Sequence, residues 1–415
     1  MTWDSHATLA RLNEATRDLD PPLAVIDLAA FDSNRRDIAR RAGGCTVRVA
    51  SKSLRVRWAL DEALRHSQFA GVLAYTLPEA IWLATPTANE PGIDDVVVGY
   101  PTVDGGALRA LCADPVLLER VTLMIDDAAH LELIRVAASA AGATVKVCID
   151  VDSSWRPRPP GLRSALHIGA QRSPLHDKAD VIAFAAQVMS SQHIKLDGLM
   201  FYEAQVAGVA NEPPNQRLRG RAIRTMQTAS IRELAVRRPM IVNAVNELLT
   251  QRTGQGLRFV NAGGTGSLES SSSDSSVSEV TAGSGFFGPT LFDGYRHFSL
   301  SPAALFALPV VRRPNPGTVT VLGGGYIASG IADPNRLPTP WLPAGLSLDS
   351  QEGAGEVQTP LHGKAAAALA IGDRVWFRHA KAGELTEHFN DVTLVRGSEA
   401  IAETPTYRGE GKAFL

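Results

Sequence analysis

With 415 residues, 45% of them apolar, the chain exceeds a typical single domain and can bury one large core and a smaller second one. A formal net charge of −2 argues against a broad basic footprint for nucleic acid or an anionic membrane, and favours small molecules as partners. The three cysteines, Cys45, Cys112 and Cys148, are too scattered for a disulfide framework or a zinc knuckle, and no stretch approaches the ~20 apolar residues that span a bilayer, so a cytoplasmic protein is expected.

In chain order, a short helical pattern at 7–18 breaks at Asp20-Pro21-Pro22, and Leu23–Asp27 reads as a strand. A helix over about 29–42 follows. Eight strand-like runs come next, at about 45–50, 69–74, 94–99, 120–125, 144–150, 195–201, 257–260 and 277–282, separated mostly by helical or loop segments. Alternation of this kind predicts an α/β fold, a closed (β/α)8 TIM-type barrel, over 29–290. A proline-rich loop, Trp155 to Pro160, follows the fifth run and reads either as a cover for the barrel mouth or as an insertion. The serine run Ser270–Ser276 reads as a solvated loop. Beyond about 290 the pattern changes. Strand-like pieces near 318–322, 374–378 and 392–395 among Gly- and Pro-rich turns, with short helical segments such as Gly363 to Ala370, predict a second, mostly β domain over 291–415. The first strand, within 1–28, is a candidate to pair with it.

Lys52 stands at a strand-to-helix corner. The alternating run Thr46–Ser51 delivers it just where apolar residues begin to recur at helical spacing (Leu54, Trp58, Ala59, Leu64). In a barrel that corner faces the catalytic end. Directly after the seventh run comes Asn261-Ala262-Gly263-Gly264-Thr265-Gly266-Ser267, and after the eighth Thr281-Ala282-Gly283-Ser284-Gly285. Glycines let backbone N–H groups converge, and Thr or Ser hydroxyls add donors, which suits a phosphate; in barrels that site is frequently built by the loops after strands seven and eight. Strand one is their neighbour once the barrel closes. A lysine beside a phosphate site either pairs with it as a charge or forms an imine, and pyridoxal 5'-phosphate uses both an imine and a phosphate site.

These residues resemble a family. Leu23–Asp27 followed by a helix, then Arg48-Val49-Ala50-Ser51-Lys52-Ser53, resembles the opening of the fold-type III pyridoxal-phosphate proteins, the alanine-racemase-like barrels, in their D-threonine aldolase and D-serine dehydratase branch. There the lysine motif reads roughly Arg-Pro-His-Ala-Lys-Thr, so Arg48, Lys52 and Ser53 match and Ala50 replaces the histidine. Tyr75–Ala80, Gly198-Leu199-Met200-Phe201-Tyr202 and the two glycine loops follow in the family's order. The resemblance implies a pyridoxal-phosphate lyase or deaminase acting at Cα of a small, D-β-hydroxy amino acid, with an amino acid racemase or a non-catalytic carrier as alternatives, and a homodimer. It implies roles as well. Lys52 would carry the internal aldimine and move the Cα proton. Arg48, on the same face by two-residue alternation, would tune Lys52 or bind a carboxylate, unless it serves a structural ion pair. Arg156 would lie near the pyridine nitrogen and Tyr202 against the ring or as a proton acceptor. Gly263, Gly264, Thr265, Gly283 and Ser284 would hold the phosphate.

In the C-terminal part the branch binds a divalent metal, zinc or manganese, through a His-x-Cys pair, whereas this chain reads His379-Ala380-Lys381. A protonated lysine does not ligate zinc. Three readings follow: the Lys381 ammonium stands in for the metal's charge, a metal recruits His379 with Glu384, His388 or Glu356, or hydroxyl activation is absent. Glu352 and Glu356, in the acidic glycine-containing loop from Gln351 to Pro360, are candidate general acids or bases.

Overall fold

The computed structural model describes residues 4–88, 90–158, 165–331, 333–381 and 383–415. It divides into two compact units, one of Met1–Asp37, Lys52–Asp61 and Ser284–Ala413, the other of Ile38–Ser51, Glu62–Gly283 and Phe414–Leu415. The chain runs through β1 (Leu23–Asp27), β2 (Thr46–Ala50), β3 (Phe69–Ala74), β4 (Val96–Val98), β5 (Val121–Ile125), β6 (Val145–Asp150), β7 (Ile194–Phe201), β8 (Phe259–Ala262) and β9 (Glu279–Ala282). It continues through β10 (Ala304–Asn315), β11 (Thr318–Leu322), β12 (Thr339–Leu342), β13 (Ser347–Leu348), β14 (Gln358–His362), β15 (Arg374–Arg378), β16 (Asp391–Arg396) and β17 (Glu399–Pro405).

In the second unit β2 to β9 close into a barrel, all pairs parallel, and β9 returns to β2 with Thr46 opposite Glu279 and Val49 opposite Ala282. The staves are short runs of Val, Ile and Leu because parallel strands are covered on both faces. Val96, Val97 and Val98 are fully buried, and so are Val145, Val147, Cys148 and Ile149. Inside, Val97, Met124, Cys148, Met200 and Phe259 from five successive strands form one apolar cluster. The helix Leu77–Ala84 begins at Thr76, whose hydroxyl takes the Glu79 N–H at 3.2 Å, while the Glu79 carboxylate takes the Tyr75 N–H at 2.7 Å. This exchange is a capping arrangement that gives the Tyr75–Ala80 segment a structural purpose.

The serine run is a solvated turn only in its second half, where Ser273 and Ser275 are exposed. It enters the helix Leu268–Ser272, and Ser271 is fully buried because its hydroxyl lies between the Glu203 carboxylate and the Ser267 carbonyl. Pro159 and Pro160 of the proline-rich loop lie outside the described residues; on either side, Trp155 and Ile168 exchange backbone hydrogen bonds.

In the first unit a sheet runs in the order β13-β14-β11-β10-β1-β16-β17, with β15 pairing β10 and β12. β1 lies between β10 (antiparallel) and β16 (parallel), so the first strand of the chain is a central strand of the C-terminal sheet. Leu12, Leu23, Val25, Leu305, Ala307, Leu342, Trp376 and Val395 build its core. The segment expected to be helical at Gly363 to Ala370 forms a 3-10 turn over Lys364–Ala368. Among the described residues no helix is long and apolar enough to cross a membrane.

Candidate active site

At the C-terminal end of the barrel strands, where such folds place their chemistry, β6 ends in Asp150, Asp126 follows β5, and Tyr202 and Glu203 follow β7. The Arg172 guanidinium carbon lies 5.5 Å from the Tyr100 ring centre and 5.4 Å from that of Tyr202. Burial, together with the Asp126 charge, pushes the Asp150 carboxyl up to about 7 against the pull of Arg172. Asp126 is also raised, mainly by burial, with His130 3.2 Å away as a partial offset. Burial pushes the Tyr202 phenol up to about 12 against the pull of Arg172. At neutral pH that phenol keeps its proton.

The glycine loop after β8 is held by the chain itself. Gly263 has φ +78°, and a Cβ there would come within 2.8 Å of Ser271 Oγ. Its N–H donates to Glu203 Oε2 at 3.1 Å. The Gly264 N–H donates to Ser267 Oγ at 3.1 Å, and a Cβ on Gly264 would meet Ala207 at 3.1 Å and the Tyr202 ring at 3.3 Å. The missing side chain thus lets the loop lie against the tyrosine. Arg41 fixes the far side of the loop by donating to the Thr265 carbonyl at 2.7 Å and to Glu269. Glu203 is balanced by Arg238, 3.6 Å away, which also pairs with Asp274 at 3.0 Å.

Lys52 follows the last residue of β2 by two positions and Gly283 follows β9 directly; these two strands are paired. Lys52 is exposed, in the short 3-10 turn Ser51–Ser53. The next residue, Ser53, has its hydroxyl 3.0 Å from that of Ser284. The Lys52 carbonyl accepts from Arg55 Nε at 3.0 Å, and Arg55 is in turn paired with Glu387. Gly383, at φ +105°, packs so closely that a Cβ would run into the Lys52 carbonyl. The loop carrying His379, Lys381 and Glu384 therefore lies against the Lys52 segment.

Four residues expected at the site have the following partners and exposure. Arg48 is 1% exposed and pairs with Glu279 through Nε at 2.7 Å and Nη2 at 2.9 Å, and with Asp95 at 2.8 Å. Burial works against its charge, yet Glu279 and Asp95 more than offset this and raise its pKa. With those partners at the start of β9 and just before β4, it is the structural ion pair that the sequence left open. Arg156 is tied to Asp152 at 2.6 Å and to Ser154 at 3.2 Å; the arginine between the tyrosines is Arg172. Glu356 is exposed on the turn preceding β14, and Glu352 on the same turn donates its N–H to Asp349.

The residues do not make a ligand set for a divalent metal. Among the described residues no three His, Cys, Asp or Glu side chains gather as ligands would. His379 is buried with Nδ1 3.2 Å from the Ala304 carbonyl, and burial, helped by Arg378, lowers its pKa to about 3. His388 stacks on Tyr326 with ring centres 4.2 Å apart. The second position of the pair is Lys381, whose Nζ donates to Ser329 Oγ at 3.3 Å.

Asp150, Asp126, Arg172 and Tyr100 were not singled out from sequence. For Asp150 a signal existed, an acid as the last residue of a barrel strand. Arg172 lies in a stretch without periodicity and offers none.

The family described as alanine racemase, N-terminal domain, matches residues 26–246. A D-threonine aldolase of Arthrobacter sp is 26% identical over 314 residues, spanning 74% of this chain and 72% of its own. Among solved structures, D-threonine aldolase from Filomicrobium marinum superposes with a TM-score of 0.76 at 18% identity, covering 94% of this chain and 96% of that one. D-threo-3-hydroxyaspartate dehydratase from Delftia sp. HT23 gives 0.67 at 19% identity over 94% and 97%, and a Cys-to-Ala mutant of a D-threo-3-hydroxyaspartate dehydratase has been solved in a metal-free form. At these identities the solved structures establish the fold.

Proposed function

The chain belongs to the alanine racemase N-terminal domain family, and from that premise we propose that it is a pyridoxal-phosphate-dependent enzyme acting at Cα of a small D-β-hydroxy amino acid, with Lys52 as the residue that links the cofactor. The observation that carries this reading is the position of Lys52, two residues beyond β2 and beside the serine that meets Ser284 after the paired strand β9. When bound, pyridoxal phosphate supplies an aldehyde for an amine and a conjugated ring that draws electron density from Cα.

The chain's own groups have definite tasks in this reading. Lys52 takes and returns the Cα proton. Gly264, Thr265, Gly283 and Ser284 hold the phosphate, with Gly263 as a structural turn that anchors Glu203. Arg172 and the protonated Tyr202 flank the ring, and Asp150, poised to exchange a proton near neutral pH, keeps the charge of Arg172 balanced. The D-threonine aldolase and D-threo-3-hydroxyaspartate dehydratase relatives support a D-β-hydroxy substrate. They leave two bonds to choose from: cleavage of Cα–Cβ yields glycine and an aldehyde, and loss of the Cα proton and the β-hydroxide yields ammonia and a keto acid.

Purified protein is expected to absorb near about 420 nm, as a pyridoxal imine does, and Lys52→Ala is expected to lose that band with its fold intact. Persistence of the band in the variant would place the linkage on another lysine and overturn the assignment. The products formed from a panel of D- and L-β-hydroxy amino acids then identify the bond and the hand.

A further inference from the structure

Arg55 has φ +51°, in the left-handed region. Among the described residues the other non-glycine residues with positive φ are His193 and Asn215, types enriched in that region, whereas arginine is not. Glycine builds such a turn without steric cost, so an arginine there is explained by its side chain. That side chain reaches back along the chain: Nε donates to the Lys52 carbonyl at 3.0 Å, and Nη1 donates to the Glu387 carboxylate, which Arg408 also holds. The Arg55 carbonyl in turn accepts the N–H of Tyr407 at 2.9 Å, and Tyr407 is buried. Gly383 closes over the same hydrogen bond, since a Cβ there would run into the Lys52 carbonyl and lie 3.6 Å from Arg55 Nε.

We propose that Arg55 is a positioning residue for the Lys52 amine: it pins the Lys52 carbonyl and thereby fixes the direction in which the lysine side chain leaves the backbone. The proposal rests on the function proposed above, in which Lys52 links the cofactor. Ser53, Leu54 and Val56 are buried while Lys52 is exposed, so burial holds the residues after the lysine and Arg55 holds the lysine's own carbonyl. With that carbonyl pinned, the planar peptide unit between Lys52 and Ser53 keeps one orientation, and so does the Lys52 Cα–Cβ bond. The Ser53 hydroxyl stays 3.0 Å from that of Ser284 by the same restraint. An amine joined to a cofactor tolerates slack in its backbone, because the covalent bond itself holds it. An amine that must also take and return a proton at Cα does not, since proton transfer needs hydrogen-bond reach and correct orientation. Loss of the Arg55 side chain therefore spares the linkage and slows the proton transfer. It also leaves Glu387 paired with Arg408, so that carboxylate keeps a partner.

The test uses the full-length holoenzyme and Arg55→Gly, which drops the side chain and relieves the left-handed strain. Its urea midpoint is expected close to that of wild type, and its visible absorbance band is expected to remain. The circular dichroism of that band, which reports how firmly the chromophore is held in one orientation, is expected to weaken. Exchange of the Cα proton into heavy water is followed with the D-amino acid that wild type exchanges fastest. There kcat is expected to fall at least about 10-fold while KM changes less than about 3-fold, the pattern of a misplaced proton carrier with substrate binding intact. A kcat at the wild-type level, or a rise in KM alone, would overturn the proposal. So would a joint drop in urea midpoint, visible band and kcat, which marks an arginine that only holds the fold together. Wild-type protein without the band, or Lys52→Ala protein that keeps it, refutes the Lys52 assignment and this proposal with it. A wild-type band lost in Lys52→Ala, with Arg55→Gly equal to wild type in dichroism and kcat, refutes this proposal alone.

Discussion

Asp150 shows how one side chain can tie stability to pH. Its folded-state pKa of about 7 lies well above the ordinary value of 3.8, with burial as the main cause and Asp126 as the second. Between those two values the folded chain keeps a proton that the unfolded chain has already lost, so stability falls as pH rises through that window and is most favoured below it. Relative to wild type, Asp150→Asn is expected to flatten this decline, by on the order of 2–4 kcal/mol between pH 4 and 7.5. Urea midpoints of the two proteins at three pH values check it, and parallel curves would contradict the burial argument. Arg48 makes the complementary point about a buried charge that is fully paired. Replacing it with Met leaves Glu279 buried with Asn261 as its remaining side-chain partner, while Asp95 keeps Arg258 at 2.8 Å. A loss of about 3–5 kcal/mol in urea unfolding is expected, and a second substitution, Glu279→Met, is expected to recover much of it because no unpaired charge then remains. If Arg48→Met unfolds at the wild-type midpoint, the ion pair contributes nothing to holding β2 against β9.

At the scale of elements, what the sequence disclosed follows from how each element is buried. The barrel staves were readable because parallel strands covered on both faces become uninterrupted Val, Ile and Leu runs; the reading at 69–74 coincides with β3, and the others differ from the observed strands by two residues or fewer at each end. In the second sheet β11 and β15 were found at their observed bounds, since each is an apolar run between turn residues. β10 was missed. It carries Pro309 and Pro314 and two consecutive arginines, and it survives as a twelve-residue strand only because register shifts near Val310 and Arg312 absorb what a regular ladder would not. Ser271 was misread for a different reason. A serine run signals solvent when its partners are unknown, and here its partner is Glu203, 68 residues earlier in the chain. The candidate site divides the same way. Lys52 and the glycine loops are announced by their own neighbours, whereas Arg172 is defined by two tyrosines that only the fold brings to it.

The organisation of the whole molecule makes the first strand a structural keystone of the last third of the chain. β1 pairs Val25 with Leu305 on one side and Thr393 on the other, and Val25 is fully buried in the cluster that also holds Trp376 and Val395. The helix Ser5–Ala15 reinforces the same region, because Asn13 accepts the Trp376 indole N–H at 2.8 Å and Arg374 donates to the Thr16 carbonyl at 2.6 Å. β1 is therefore the shared partner without which β10 and β16 would face each other across an unfilled gap of one strand width, roughly 5 Å on each side. Val25→Asp puts an unpaired carboxylate in this apolar cluster and removes packing on both ladders, a combination expected to cost at least about 4 kcal/mol. Amide hydrogen exchange in the full-length protein reads the consequence locally. Protection is expected to drop in β10, β15 and β16, whose neighbours include β1 directly or through one ladder, and in the Trp376 indole. Protection in those strands that matched wild type would mean that the sheet is held by β10–β15 and β16–β17 alone, and that the N-terminal strand is an accessory to it.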